Sequence, residues 1–150
     1  MDMKKISSVI AFPLLVCLLL LSCENISYEW VKYHDDNDGN YFFYKKGKVD
    51  KDGGKHIVRV WGKEVYSAKG REIEIRSRTK DGLSSAGYDK LSYKKCLYEI
   101  DCSKQKISIL TIIHYGADDE ELYSGGTHQR NWYDIKPDST SGHLQKEVCK

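Results

Sequence analysis

The stretch "LSYKKCLYEIDC" (91–102), followed by "SKQ" (103–105) and "KISILTIIHY" (106–115), decides the fold. Two long runs rich in aromatic and β-branched residues flank a three-residue connection, the pattern of an antiparallel hairpin. In the second run Ile107, Ile109 and Ile113 alternate onto one face, while Leu110 and Ile112 fall on the other. A strand apolar on both faces belongs inside a sheet, with something covering each side. The hairpin is expected to form the middle of a β-rich domain.

Upstream, "YEWVKYHD" (28–35) and "YFFYKKG" (41–47) read as two strands joined by the turn-rich "DDNDG" (35–39). As a calcium loop with its glycine at Gly39, this stretch would begin at His34 and end at Lys45. A carboxylate and a glutamate are needed there, so the hairpin reading holds. "HIVRVWGKEVYS" (56–67) is a further strand, with Ile57, Arg59 and Trp61 on one face and Val58, Val60 and Tyr66 on the other. "REIEIRSR" (71–78) is ambiguous: it alternates like a strand, yet its charge and flanking glycines equally fit a short helix or a surface excursion. Its basic residues, balanced by Glu72 and Glu74, read as a solvated face.

Downstream, "GADDEELYSGGTHQR" (116–130) holds turns and a short edge strand, and "NWYDI" (131–135) is a last strand. "PDSTSGHLQKEVC" (137–149) reads as a helix, with Pro137, Asp138 and Ser139 as start signals. Leu144 and Val148, four apart, give it a small apolar stripe.

The other end carries a targeting signal. Lys4 and Lys5 precede the apolar run "VIAFPLLVCLLLLS" (9–22), too short for a membrane span of about twenty residues but suited to a signal peptide. The run stops at "LLSC" (20–23), a match to the bacterial lipobox, with Cys23 as the lipidated residue. Expected organisation is a lipoprotein signal peptide at 1–22, a short tether at 23–29 and one domain at 30–150. The alternatives are cleavage elsewhere or an N-terminal anchor helix. Glu24, rather than an aspartate, favours delivery to the outer membrane. A formal charge of only +2 gives no reason to expect nucleic acid as a partner.

Of the remaining cysteines, Cys96 and Cys102 share a strand face, but six residues of extended chain separate them by about 20 Å. Disulfide geometry needs Cα atoms within about 7 Å. Cys149 is the partner of one of them if a bridge exists. Cys102, at the strand end beside the turn, is the better placed; a Cys96–Cys149 bridge and no bridge at all stay open. Cys96 reads as a packed core thiol. No nucleophile elbow, zinc-binding H-E-x-x-H, Walker loop or G-x-G-x-x-G is present. The five histidines, His34, His56, His114, His128 and His143, lack ligand-like spacing, and the acidic run 118–121 reads as a solvated loop. Catalytic residues, metal ligands and cofactors are therefore expected to be none.

Several phrases in order, an opening tryptophan strand, "VRVW" (58–61), "YEIDC" (98–102), "KISIL" (106–110), "WYDIKPDS" (132–139) and a final "VC" (148–149), resemble the surface-adhesin protein E family of bacterial lipoproteins. The resemblance implies an α+β, mainly β fold: a single antiparallel sheet of about six strands, with a C-terminal helix held against it by a disulfide. It places the family's cysteine pair on Cys102 and Cys149. It also implies a non-enzymatic, lipid-anchored cell-envelope protein, adhesin-like in binding other proteins; members bind extracellular matrix proteins such as vitronectin and laminin. The expected partners are the membrane through the anchor, and extracellular matrix or other proteins; a homodimer is left open. The alternative is a periplasm-facing structural or assembly lipoprotein. A third reading, a small ligand between helix and sheet, rests on the eleven tyrosines alone.

Overall fold

The computed structural model describes residues 29–45, 50–51, 56–127 and 129–150. The expected signal peptide 1–22, the expected lipidation site Cys23, all but the last residue of the expected tether 23–29, and His128 lie outside the described residues. The strands are β1 (Trp30–Asp35), β2 (Tyr41–Lys45), β3 (Asp50–Lys51), β4 (Ile57–Val65), β5 (Leu91–Asp101), β6 (Lys106–Gly116), β7 (Glu121–Gly126) and β8 (Tyr133–Asp134). They form one antiparallel sheet in the order β1-β2-β4-β5-β6-β7, with the two-residue β3 and β8 pairing β4 and β6. Two α-helices, α1 (Ala68–Lys80) and α2 (Thr140–Val148), and a single 3₁₀ turn at Tyr88–Lys90 complete the described chain. Among the described residues no helix is long and apolar enough to cross a membrane.

The turns follow from their side chains. In the first hairpin, Asp36 accepts hydrogen bonds at Oδ1 from the amides of Asp38 and Asn40, each at 2.9 Å, and Gly39 takes φ +82°. The acidic stretch read as a turn thus organises backbone donors. In the central hairpin Asp101 does the same for Ser103 and Lys104, and Gln105 takes φ 54°.

The ambiguous 71–78 segment is helical, inside α1. Ser67 is extended and accepts from the Gly70 amide at 2.9 Å, a helix N-cap. β4, which precedes it, already has β2 on one side and β5 on the other. The alternating "EIEIR" has no free edge there to join, so local helix propensity and the cap prevail. At its end Arg78 and Lys80 complement the helix dipole and Gly82, at φ +70°, lets the chain leave.

One expectation about β6 is corrected. Thr111 pairs with Leu97 but Ile109 pairs with Tyr98, so Leu110 is an extra residue in the ladder, a β-bulge. The alternation therefore inverts at Leu110. Ile107 and Ile109 share their face with Ile112, and Ile113 points the opposite way, beside Lys95. A second expectation, that each side of this strand is covered, holds at its start, where Ile107 and Ser108 are buried on opposite faces, and not farther along. Both helices and the 3₁₀ turn pack on one face; the other is covered only toward one end, where the segment after β7 brings Arg130 to Glu99 and the paired Ser108 is fully buried.

On the covered face, Tyr44, Val58, Val60, Ile100 and Ile107 meet Ile135 and the stripe Leu144 and Val148 of α2. Leu144 is 1% exposed, and burying each such side chain contributes roughly 1.5–3 kcal/mol. Ser139 caps α2. At its other end Cys149 is bonded to Cys102, with Cα atoms 5.6 Å apart. Cys96 is free and buried.

Candidate interaction surface

Period two assigns the alternate residues of each strand to the uncovered face. Its central rows follow the register. Phe43 lies opposite Lys63, Lys63 opposite Lys95, and Lys95 opposite Ile113. One row along, Trp61 faces Leu97 and Leu97 faces Thr111. All are half-buried by their neighbours while still reaching solvent.

The lysines on this face rest on aromatic rings. Lys32 Nζ stands 4.4 Å from the Tyr41 ring centre, and Lys45 Nζ 5.6 Å from Trp30. Lys63 Nζ is 4.2 Å from Tyr93, while Lys95 Nζ lies 5.4 Å from Tyr93 and 4.7 Å from Tyr115. Tyr93 and Tyr115 stack at 4.8 Å, and the Tyr93 hydroxyl donates to Asp119 Oδ1 at 2.6 Å. Burial, and then the hydrogen bond to the Asp119 carboxylate, push the Tyr93 hydroxyl well above its ordinary range. Such cation–π contacts contribute about 0.5–1 kcal/mol at exposed sites and hold flexible side chains in place. The result is a fixed mosaic of rings and ammonium groups.

At the end of the sheet nearest α2 the same face carries an ion network. Glu99 is 1% exposed. It accepts from Arg59 Nε at 2.7 Å and from Arg130, which reaches across from the segment after β7. The Arg130 hydrogen bond, outweighing burial, holds the Glu99 carboxyl below the usual range. Its partners leave Glu99 fully engaged, so it serves architecture.

The covered face offers other candidates, each less open. A cavity of about 500 Å³ lies between α2 and the sheet, lined by Tyr33, Phe42, Tyr98, Ile109 and Leu144 among others. Its size suits a small ligand. Its two carboxylates are already paired, Glu64 with Lys94 and Asp134 with Lys106, each at 2.8 Å. The rim hydroxyls of Ser139 and Ser141 bond each other at 2.8 Å. Cys96 is no reactive thiolate, because burial pushes its thiol up. His114, 2% exposed, shares a hydrogen bond with the Tyr88 hydroxyl at 3.0 Å, and burial lowers its pKa to about 4. Among the described residues no group of three or more histidines, cysteines or carboxylates is placed to hold a metal.

Of the residues singled out from sequence, Cys102 and Cys149 are brought together, and Cys23 lies outside the described residues. Sequence reasoning missed the lysine–aromatic face. Its signal was present in "WGKEV" and "YKKCLYEI", but the neighbours that matter depend on strand register, which those phrases do not state.

A sequence model of the family described as surface-adhesin protein E matches residues 30–150. The chain belongs to the surface-adhesin protein E family. This accounts for the envelope-protein character of the sequence, and it makes the chain an adhesin-like surface protein. A crystal form of Haemophilus influenzae protein E resembles the chain with a TM-score of 0.50 at 8% identity, over 80% of this chain and 86% of that one. Protein E from non-typeable Haemophilus influenzae aligns over 84% and 78% of the two chains, at 10% identity and a TM-score of 0.48. At 8% identity the first likeness shows a shared fold: the antiparallel sheet with its C-terminal helix. No curated protein matches the sequence.

Proposed function

We propose that this surface-adhesin E protein is a non-catalytic, lipid-anchored binding module of the bacterial outer membrane, and that the uncovered sheet face is its protein-contact surface. The observation that carries the reading is the mosaic of half-buried Trp30, Phe43, Trp61 and Tyr115 with its ring-seated lysines, braced from within by the buried Tyr93. Aromatic residues dominate interface hot spots, and side chains already held in place lose little entropy on binding. Extracellular matrix proteins are the partners that family membership suggests. In this reading residues 1–22 are removed, Cys23 carries the lipid, 23–29 is the tether and 30–150 is the functional domain.

Binding of the purified domain to immobilised vitronectin and laminin tests the surface. Phe43→Ala and Trp61→Ala are each expected to weaken capture about tenfold or more while leaving the fold intact. Unchanged capture by both variants, with the wild type binding, removes the sheet face from the account. Metabolic labelling with a radioactive fatty acid tests the anchor: Cys23→Ser is expected to abolish incorporation, and continued labelling rejects the lipobox reading.

The brevity of the tether favours a second reading, a structural or assembly lipoprotein facing the periplasm. Protease shaving of intact cells separates the two. Degradation of the domain supports display at the surface, and full protection supports the periplasmic role.

A further inference from the structure

Lys63 and Lys95 occupy directly opposed positions on β4 and β5. Like charges so placed repel, and the arrangement normally costs stability. The repulsion is visible in Lys63, whose pKa is lowered by burial first and by the Lys95 charge second. Neither ammonium has a carboxylate within ion-pair distance among the described residues, and both are braced on the tyrosine pair instead.

Their surroundings show how isolated this positive pair is. Asp119 is the nearby carboxylate that offsets Lys63, but its Oδ1 already takes the Tyr93 hydroxyl. On the same face Lys32 is paired with Asp35 at 3.3 Å, and Arg59 and Arg130 share Glu99. The flanking positions, Phe43 on one side and Ile113 on the other, are apolar.

We propose that Lys63 and Lys95 form the charged anchor of this face, and that its partner presents an acidic protein segment, one or two carboxylates flanked by apolar side chains. This rests on the protein-binding reading above and names the partner's chemistry. A partner carboxylate over the pair would relieve the Lys63–Lys95 repulsion, so part of the binding free energy is already stored in the unbound face. Two charges set in an apolar frame match such a segment. An anionic bilayer or a sulfated polysaccharide is met by clusters of about four to eight cations; on this face Lys32 is already paired with Asp35, and Arg59 and Arg130 share Glu99, so the charge is concentrated at the adjacent Lys63 and Lys95.

The test uses the purified domain and a short synthetic peptide alternating glutamate with leucine, beside a matched glutamine–leucine peptide, heparin, and phosphatidylglycerol vesicles. The glutamate peptide is expected to bind and the glutamine peptide to bind at least tenfold more weakly. Lys63→Gln and Lys95→Gln are each expected to cost about tenfold in binding, with unfolding midpoints close to wild type because the relieved repulsion offsets the lost ring contacts. Equal binding of the two peptides, undiminished binding by both variants, or a lysine-dependent preference for heparin or vesicles overturns the proposal. Matrix-protein capture by Phe43→Ala and Trp61→Ala is measured in parallel. If those variants lose capture while the glutamate peptide never binds, the acidic-partner inference falls and the protein-binding reading stands. If capture is also insensitive to them, both fall.

Discussion

Glu99 and Arg59 face each other across β4 and β5, and the carboxylate of this pair is almost wholly buried while its guanidinium is half in solvent. Arg130 closes on the same carboxylate from a distant segment. The stabilisation therefore depends on Glu99 having at least one cation. Glu99→Gln keeps the shape and leaves the arginines solvated, so it is expected to cost about 1–2 kcal/mol in urea denaturation. Removing both arginines with alanine strands the charge and is expected to cost about 3 kcal/mol or more near neutral pH.

That network also carries a pH signature. A carboxyl held below its ordinary range stabilises the fold above its unfolded pKa, about 4.3, and the contribution fades as pH falls through that region. The double arginine variant should behave in the opposite sense. Its deficit relative to wild type should shrink on acidification, because a stranded carboxylate is relieved by protonation. Parallel denaturation curves across the carboxylate range check the sign.

His114 gives a second pH effect in a different window. Its ring is held neutral by burial, with Arg78 and Lys94 adding unfavourable positive charge nearby and Tyr88 hydrogen-bonded to Nδ1. The unfolded chain takes up a proton near pH 6.5, whereas the fold resists until about pH 4. Stability should therefore fall by about 2 kcal/mol between about pH 7 and pH 5. His114→Phe is expected to flatten that slope while lowering stability at pH 7, because Tyr88 loses its partner.

The Cys102–Cys149 bridge closes a span of 47 residues, for which chain entropy predicts roughly 4 kcal/mol. Cys149→Ser is expected to lose about 2–4 kcal/mol, with amides of α2 exchanging faster than those of β5. Uniform exchange across the two elements would show that the helix docks through Leu144 and Val148 without the bond.

Gly62, mid-strand in β4, lies beneath the Tyr98 ring; a Cβ there would come within 2.6 Å of it. Gly62→Ala is expected to destabilise by about 1–3 kcal/mol through that overlap. Thermal unfolding of the variant measures it.

The central hairpin, the strand 57–65, the first hairpin and the C-terminal helix were legible because each carries local signals: period-two alternation, turn residues and an N-cap serine. The Cys102–Cys149 pairing was legible for a different reason, since strand length ruled out Cys96 with Cys102 and strand-end position favoured Cys102. What escaped was non-local. The bulge at Leu110 inverts a pattern that reads as continuous, and nothing in "KISILTIIHY" marks where the ladder slips. The character of 71–78 hinged on whether β4 had a free edge, a property of the whole sheet. The opposed lysines and the Arg130–Glu99 contact likewise exist only once register and the path after β7 are set.

The one-sided placement of both helices divides inheritance along each strand. Val58, Val60 and Ile100 carry the shape and tolerate little change, while their neighbours Trp61 and Leu97 sit where most substitutions leave the core undisturbed. Such a framework can be rewritten toward new recognition one alternate residue at a time. Proteins sharing this scaffold are thus free to diverge widely at solvent-reaching positions such as these and still fold alike.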